Sequence, residues 1–253
     1  MSCPPLESTL LIDNSNTRTK FLLMQEGQLL HGSMRSIPTV EITPASVAAL
    51  LAGWSFRRAV IASVVPCALE VLLASLPCPV TVLSAASSPL PLDFDYPGVG
   101  TLGADRVANA LAVAVEYALP CIAIDLGTAV TFDVIVESNL RACFIGGVIS
   151  PGLLTLAGSL HRNTAQLPQI ALSRPPHAIG RNTREAMQIG VHLGFVGMVN
   201  AIVSGLRREL GTEAGLVLTG GDAELIAPHL SGKVTIAPYL TFNGIALAAQ
   251  ALT

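Results

Sequence analysis

The chain has 253 residues, with 14 Lys and Arg against 17 Asp and Glu, and its formal net charge of −3 leaves no basic footprint for nucleic acid. Only 12% of residues are charged and mean hydropathy is +0.60, yet the longest uncharged stretches, Ala142–Leu160 and Val234–Thr253, are broken by glycine or proline and do not read as membrane spans. The five cysteines form no C-x-x-C pair, the five histidines no i, i+4 pair, and no basic-then-apolar leader opens the chain, which disfavours zinc, disulfides and secretion and points to a reducing cytoplasm.

In chain order, Met1–Glu7 reads as a loose tail, and Leu10-Leu11-Ile12-Asp13 as an apolar strand ending in a carboxylate. Asn14–Thr17 then turns the chain into a second strand through Thr19, Lys20 and Phe21. Gln25–Gln28 makes a turn, Leu29–Ile37 a further strand, and Pro44–Gly53 a helix. Ala59–Val65 is a buried strand, Ala68–Leu76 a short helix and Val80–Leu83 another strand, so the alternation indicates an α/β protein. Ser84–Thr101 reads as a loop. It includes Gly98–Gly103, a formal G-x-G-x-x-G match with neither the strand before it nor the acid after it that a dinucleotide site needs. Asp105 and Arg106 follow in the first turn of a helix whose apolar spacing runs from Val107 to Ala118. An acid there suits the helix dipole, and an Asp-Arg pair fed by a glycine-rich loop also suits a substrate site.

Cys121–Asp125, Gly127, and Thr128–Val136 repeat the first pattern of apolar strand, Asp, turn, hydroxyl and strand. Superposing Asp13 on Asp125 also superposes Thr19 on Thr131. Two such turns half a chain apart argue for a duplicated nucleotide-binding core with a phosphate between the halves. Backbone N–H groups and Thr128 suit an anion, and Asp125 a cation. Cys143–Ile145 reads as a strand, Gly146-Gly147 as a glycine turn, and Leu153–Leu160 as a helix. Thr164–Pro176 is a proline-containing connection, and Asn182 or Thr183 caps a long helix from about Arg184 to Leu210. Gly190, Gly194 and Gly197 on that helix allow close packing, within one chain or across a dimer. Leu216–Thr219 is a strand leading through Gly220-Gly221 to a helix over Ala223–Leu230, and Asn243–Leu252 closes the chain.

These segments together resemble the type III pantothenate kinases of the actin-like/sugar-kinase superfamily, and the likeness runs over nearly the whole chain. It rests on Asp13–Thr17, Ala62–Pro66, Tyr96 with Gly103–Asn109, Asp125–Asp133, Gly146–Gly152, Thr164–Pro168, Ile179–Met187 and Thr219–Gly221. The resemblance implies a duplicated, ribonuclease H-like α/β fold with a nucleotide cleft between two similar domains, residues 1–118 and 119–253, the second carrying dimerisation helices. It implies transfer of the γ-phosphate of ATP to pantothenate, the first step of coenzyme A synthesis, with Mg²⁺ and a K⁺ or NH₄⁺ ion as cofactors. By motif, Asp13, Asn14, Ser15, Asn16, Thr17, Arg18, Thr19, Lys20 and Thr128 would contact ATP, with Asp13 near Mg²⁺. Asp105 would be the general base. Tyr96, Gly103, Ala104 and Arg106 would line the pantothenate pocket. Asp125 would hold the monovalent cation, and Thr183 would reach pantothenate from the other subunit of a homodimer.

The physics agrees with such a role. Phosphoryl transfer needs positioning, charge neutralisation and a carboxylate for the attacking hydroxyl, and a cation could serve where the sequence carries no P-loop lysine. Two positions depart from the family pattern: Ser15 stands where it has glycine, and Val130 where it has threonine. A positive φ at Ser15 would cost on the order of 1 kcal/mol, and Val130 would remove a hydroxyl near the cation or phosphate. These changes motivate one alternative, a non-catalytic relative that binds nucleotide or pantothenate and acts through protein contacts. Another is a kinase of the same superfamily acting on a different alcohol or sugar.

Overall fold

The computed structural model describes residues 8–87, 89–172, 175 and 177–252, so the tail expected over 1–7, Cys3 and part of the connection before 177 lie outside the described residues. In chain order the elements are β1 (Ser8–Asn14), β2 (Arg18–Gln25), β3 (Gln28–Leu29), β4 (Arg35–Pro38), α1 (Pro44–Leu51), β5 (Arg58–Ser63), α2 (Pro66–Ser75), β6 (Val80–Val82), β7 (Asp93–Phe94) and α3 (Ala104–Glu116). Then follow β8 (Cys121–Leu126), β9 (Ala129–Ser138), β10 (Arg141–Pro151), α4 (Leu153–Arg162), α5 (Thr183–Leu210), β11 (Gly215–Thr219), α6 (Ala223–Ile226), β12 (Val234–Ile236) and α7 (Leu240–Ala251). They form two compact units. One holds the described part of Met1–Ala118 with Ile135–Gly146 and Tyr239–Thr253, the other Leu119–Val134 and Gly147–Pro238.

In the first unit, β1 lies at the centre. The turn Glu26-Gly27, with φ of 50° and 78°, closes the β2–β3 hairpin in the geometry that matches strand twist. The sheet order is β3-β2-β1-β5-β6, with β4 also on β2; β1 and β2 are antiparallel, whereas β1, β5 and β6 are parallel. Alternation along β1 divides its side chains between two faces. Leu10 and Ile12 join Phe21, Ile61, Val47 and Leu72 in the core beneath α1 and α2. Leu11 and Asp13 take the opposite face. On α7, a Cβ at Gly244 would fall inside the Ala108 carbonyl of α3, so these helices meet backbone to backbone. Thr43 and Ser46 cap α1 reciprocally, and Pro44 and Pro66 open α1 and α2 where a missing N–H costs nothing.

The second sheet repeats the plan. Its order is β12-β11-β8-β9-β10-β7, and β8, β11 and β12 are parallel. A central first strand, a meander on one side and two parallel strands on the other is the arrangement of both sheets, so the expected duplication is present in the topology. β9 and β10 continue beyond the second unit, and in the first unit β7 pairs in parallel with Cys143 and Phe144.

Several sequence expectations need correction. The glycine turn at 146–147 does not exist: β10 runs unbroken through both glycines, with Gly146 at φ 122°. The loop before α3 contains β7, whose two residues carry no hydrophobic run. The strand expected over Leu29–Ile37 is split by a 3-10 turn at His31–Ser33, and the helix after β11 shortens to Ala223–Ile226 before a 3-10 turn. Strand β12, three residues of Val-Thr-Ile between Gly232 and Pro238, is too short to show a periodic pattern in the sequence.

α5 is the one described helix long and apolar enough to cross a membrane by length and composition, and 33% of its most apolar window is buried.

Candidate active site

The turn after β1 is organised by strand register. Asp13 is cross-strand from Lys20, and Asn14 is cross-strand from Thr19 and, in parallel, from Ser63. Alternation therefore puts Asp13 and Lys20 on one face and Asn14, Thr19 and Ser63 on the other. Asp13 is 3% exposed, accepting from the Ser15 hydroxyl at 2.7 Å on one oxygen and from Lys20 Nζ at 3.1 Å on the other. On the second face Ser63 Oγ donates to Asn14 Oδ1 at 2.6 Å, and Asn14 Nδ2 donates to Thr19 Oγ1 at 2.7 Å. Asn14 and Thr19, assigned by resemblance to ATP contact, thus have their side chains committed inside the unit. Asn16, Thr17 and Arg18 are exposed, with Arg18 donating to Ser36 Oγ at 2.8 Å.

Ser15 is not among the non-glycine residues with positive φ, which in the described chain are Glu26, Asn139 and Leu140. The strain feared at this position is absent, and its hydroxyl has work as a donor to Asp13. Ser15→Gly should therefore lose stability, by about 1 kcal/mol from the lost hydrogen bond and the freer unfolded chain. Its denaturant midpoint should fall without any tightening of nucleotide binding; a rise in the midpoint would overturn this.

The start of α3 brings the next group together, in the same unit as Asp13. Gly103 is the residue before the helix, and a Cβ there would sit 2.5 Å from Asp105 Oδ1 and 3.3 Å from Val64 Cγ1. Glycine lets the Asp105 carboxylate fold back on the helix N-terminus, where Oδ1 accepts the Arg106 N–H at 2.7 Å. Burial pushes the Asp105 pKa above the ordinary carboxylate value, the Arg106 N–H opposes this, and the Asp13 charge adds to it. Arg106 is 8% exposed, its guanidinium 5.5 Å from the centre of the Phe144 ring. Tyr96 meets the same ring edge-on at 5.5 Å. Ala104, the first residue of α3, is buried. Phe144 was missed in the sequence because only the β7–β10 pairing carries it to this site.

In the second unit, Asp125 is half-buried near the end of β8, and Thr128 is exposed in the following turn. Two glycines press on that turn. A Cβ at Gly152 would collide with the Gly127 and Thr128 carbonyls, and one at Gly220, at φ 90°, would lie 2.5 Å from the Leu126 carbonyl. The Thr128 carbonyl accepts from Gly152 N and, at 2.6 Å, from Thr155 Oγ1. The first turn has three residues between strands and the second two, since β1 ends at Asn14 and β2 begins at Arg18, whereas β8 ends at Leu126 and β9 begins at Ala129. The superposition of Thr19 on Thr131 therefore slips by one: fully buried Thr19 matches fully buried Val130. Val130 accordingly replaces an interior hydroxyl, not one facing a ligand. Thr183 is exposed at the first position of α5, which Asn182 caps by accepting from Glu185 N at 3.0 Å.

The donor sets can be judged against the ions the resemblance implies. Among the described residues no group of three or more His, Cys, Asp or Glu could enclose a metal. One carboxylate such as Asp13, completed by phosphate oxygens and water, fits the way Mg²⁺ is bound.

Residues 9–205 match the family model described as type III pantothenate kinase. The chain belongs to the type III pantothenate kinase family. A type III pantothenate kinase from Akkermansia muciniphila is 44% identical over 240 residues, 95% of this chain and 97% of that protein. One from Methylacidiphilum infernorum is 33% identical over 96% of this chain and 88% of its own length. Among solved structures, a ROK family glucokinase from Streptomyces griseus superposes with a TM-score of 0.56 at 13% identity, covering 96% of this chain and 98% of the glucokinase. At that identity the likeness establishes the fold alone, a duplicated actin-like α/β fold. The pantothenate kinase family match spans both acidic turns, the start of α3 and most of α5.

Proposed function

We infer that this protein is an ATP-dependent pantothenate kinase, forming 4'-phosphopantothenate at the head of coenzyme A synthesis. Family membership supports the reaction. The observation carrying the mechanism is the Asp105 carboxylate at the start of α3, raised in pKa by burial and by Asp13. The primary hydroxyl of pantothenate attacks the γ-phosphorus, the bond to the β–γ bridging oxygen breaks, ADP departs, and Asp105 takes the hydroxyl proton. A carboxylate made more basic by its surroundings accepts that proton more readily. Arg106, held on the Phe144 ring, is proposed to meet the pantothenate carboxylate, with Tyr96, Gly103 and Ala104 lining its pocket and Thr183 of the partner subunit reaching it. The Ser15–Arg18 turn, Lys20 and Thr128 are proposed to contact ATP, and Asp13 to meet Mg²⁺, which neutralises phosphate charge when bound. The repeat boundary is proposed at 118/119.

The test follows ADP release from ATP, Mg²⁺ and K⁺ with a panel of hydroxyl compounds. Release with pantothenate and not with glucose is expected; glucose turning over as well as pantothenate would overturn the assignment. Asp125 is proposed to hold K⁺ or NH₄⁺, so exchanging K⁺ for Na⁺ should slow turnover at least about tenfold, because a site sized for K⁺ holds the smaller, more tightly hydrated Na⁺ poorly and the cation beside the phosphates is then missing. Equal rates in the two salts would remove that role.

A homodimer through α5 is also proposed. Gly190, Gly194 and Gly197 have nothing within 4 Å of a would-be Cβ, and Leu193 beside them is 53% exposed. Sedimentation at the monomer mass would refute it. The described cysteines, Cys67, Cys78, Cys121 and Cys143, are free thiols, which supports the proposal of a cytoplasmic protein, to be checked by cell fractionation.

A further inference from the structure

Thr39 has no place in the sequence motifs, yet it is 6% exposed beneath the phosphate turn. Its backbone N–H donates to the Thr17 carbonyl at 3.1 Å, and its hydroxyl donates to the Ser15 carbonyl at 2.6 Å. Because that hydroxyl proton is used on Ser15, the 3.0 Å contact between the Thr39 and Thr19 hydroxyls has Thr19 as its donor. Thr19 in turn accepts from Asn14, Asn14 accepts from Ser63, and Ser63 accepts from the Val65 N–H at 3.2 Å. A single-direction chain thus runs from the start of α2 to the turn, every hydroxyl in it donating once and accepting once.

The chain has a geometric consequence. A trans peptide points its N–H opposite to its C=O. With the Ser15 and Thr17 carbonyls drawn toward Thr39, the N–H groups of the same two peptides, those of Asn16 and Arg18, point away from it. Backbone N–H groups of a turn that are turned away from its anchored carbonyls are left to face an anion.

We propose that Thr39 is a positioning residue for the nucleotide: by holding two turn carbonyls inward it keeps the amides of the Ser15–Arg18 turn aimed at the ATP phosphates. This rests on ATP being the phosphoryl donor. Thr39→Val keeps the size and the backbone bond but removes the hydroxyl, and Thr39→Ser restores it. ATP affinity is measured by calorimetry, and KM for ATP and for pantothenate together with kcat by steady-state kinetics. Thr39→Val should weaken ATP binding about tenfold, the scale of one hydrogen bond, with KM for pantothenate within about twofold, and Thr39→Ser should recover wild-type values. If the valine variant does not fold, Thr39→Cys, a weak donor, is read in the same way. An unchanged ATP affinity in the variant overturns the positioning role alone. Equal losses for ATP and pantothenate alongside a lower Tm also overturn it, as a merely structural effect. A wild-type protein that binds no ATP fells this proposal and the kinase assignment together.

Discussion

Asp105→Asn should cut turnover at least about a hundredfold, the share a general base supplies, while leaving the protein as stable at neutral pH as the parent, or more so. The loss follows from removing the only atom proposed to take the hydroxyl proton; the amide oxygen can still accept the Arg106 N–H, so local geometry persists. The stability sign comes from the raised pKa. A carboxyl with a higher pKa folded than unfolded favours folding when protonated. That contribution is complete below the unfolded pKa and is lost as the pH rises through the folded one. At pH 7 ionised Asp105 is therefore a cost that asparagine does not carry. The Tm advantage of the variant should shrink as the pH is lowered toward about 4, the ordinary carboxylate range. Near-normal turnover in Asp105→Asn would remove this residue from the mechanism, and a variant destabilised at pH 7 would contradict the assigned burial cost.

Gly244→Ala should be the most damaging small substitution in the first unit, costing about 3 kcal/mol, the upper end of what overpacking a core produces. The added methyl would lie within the Ala108 carbonyl, with the Ala108 Cα 2.8 Å away. The obstacle is helix backbone, which no rotamer change can move. α7 must shift from α3, straining the Thr241 hydroxyl's 2.8 Å bond to Asn109 and the Asn243 bond to Glu116. Since α3 also presents Asp105 and Arg106, KM for pantothenate should rise with the loss of stability. Denaturant unfolding checks the first effect and steady-state kinetics the second; a midpoint equal to the parent's would show that the helices separate freely.

Much of this protein is written locally. The two carboxylates ending apolar strands, the glycine before Asp105 and the helical spacing after it are short-range patterns, because strand burial, turn formation and helix capping depend on neighbours within a few residues. The α/β class, the duplication and both acidic turns could be located for that reason. Faces were harder. Asn14 and Asp13 are adjacent, yet one holds the turn from inside and the other faces the α3 side, a distinction that alternation contains but motif matching ignores.

Other features depend on partners remote in sequence. Thr39 lies beneath the phosphate turn because β4 pairs with β2, and Phe144 carries Arg106 because β7 pairs with β10. Gly244 meets Ala108 across 136 residues. The unbroken path of β10 through Gly146-Gly147 likewise went unread, since two glycines favour a turn unless neighbouring strands supply the hydrogen bonds that hold them extended. The amino-acid order alone determined which groups exist and the local conformations presenting them. Tertiary structure decided which buried hydroxyls and aromatic rings surround those groups, because sheet pairing and helix packing join residues by free energy of burial and hydrogen bonding, with no fixed sequence spacing to record it.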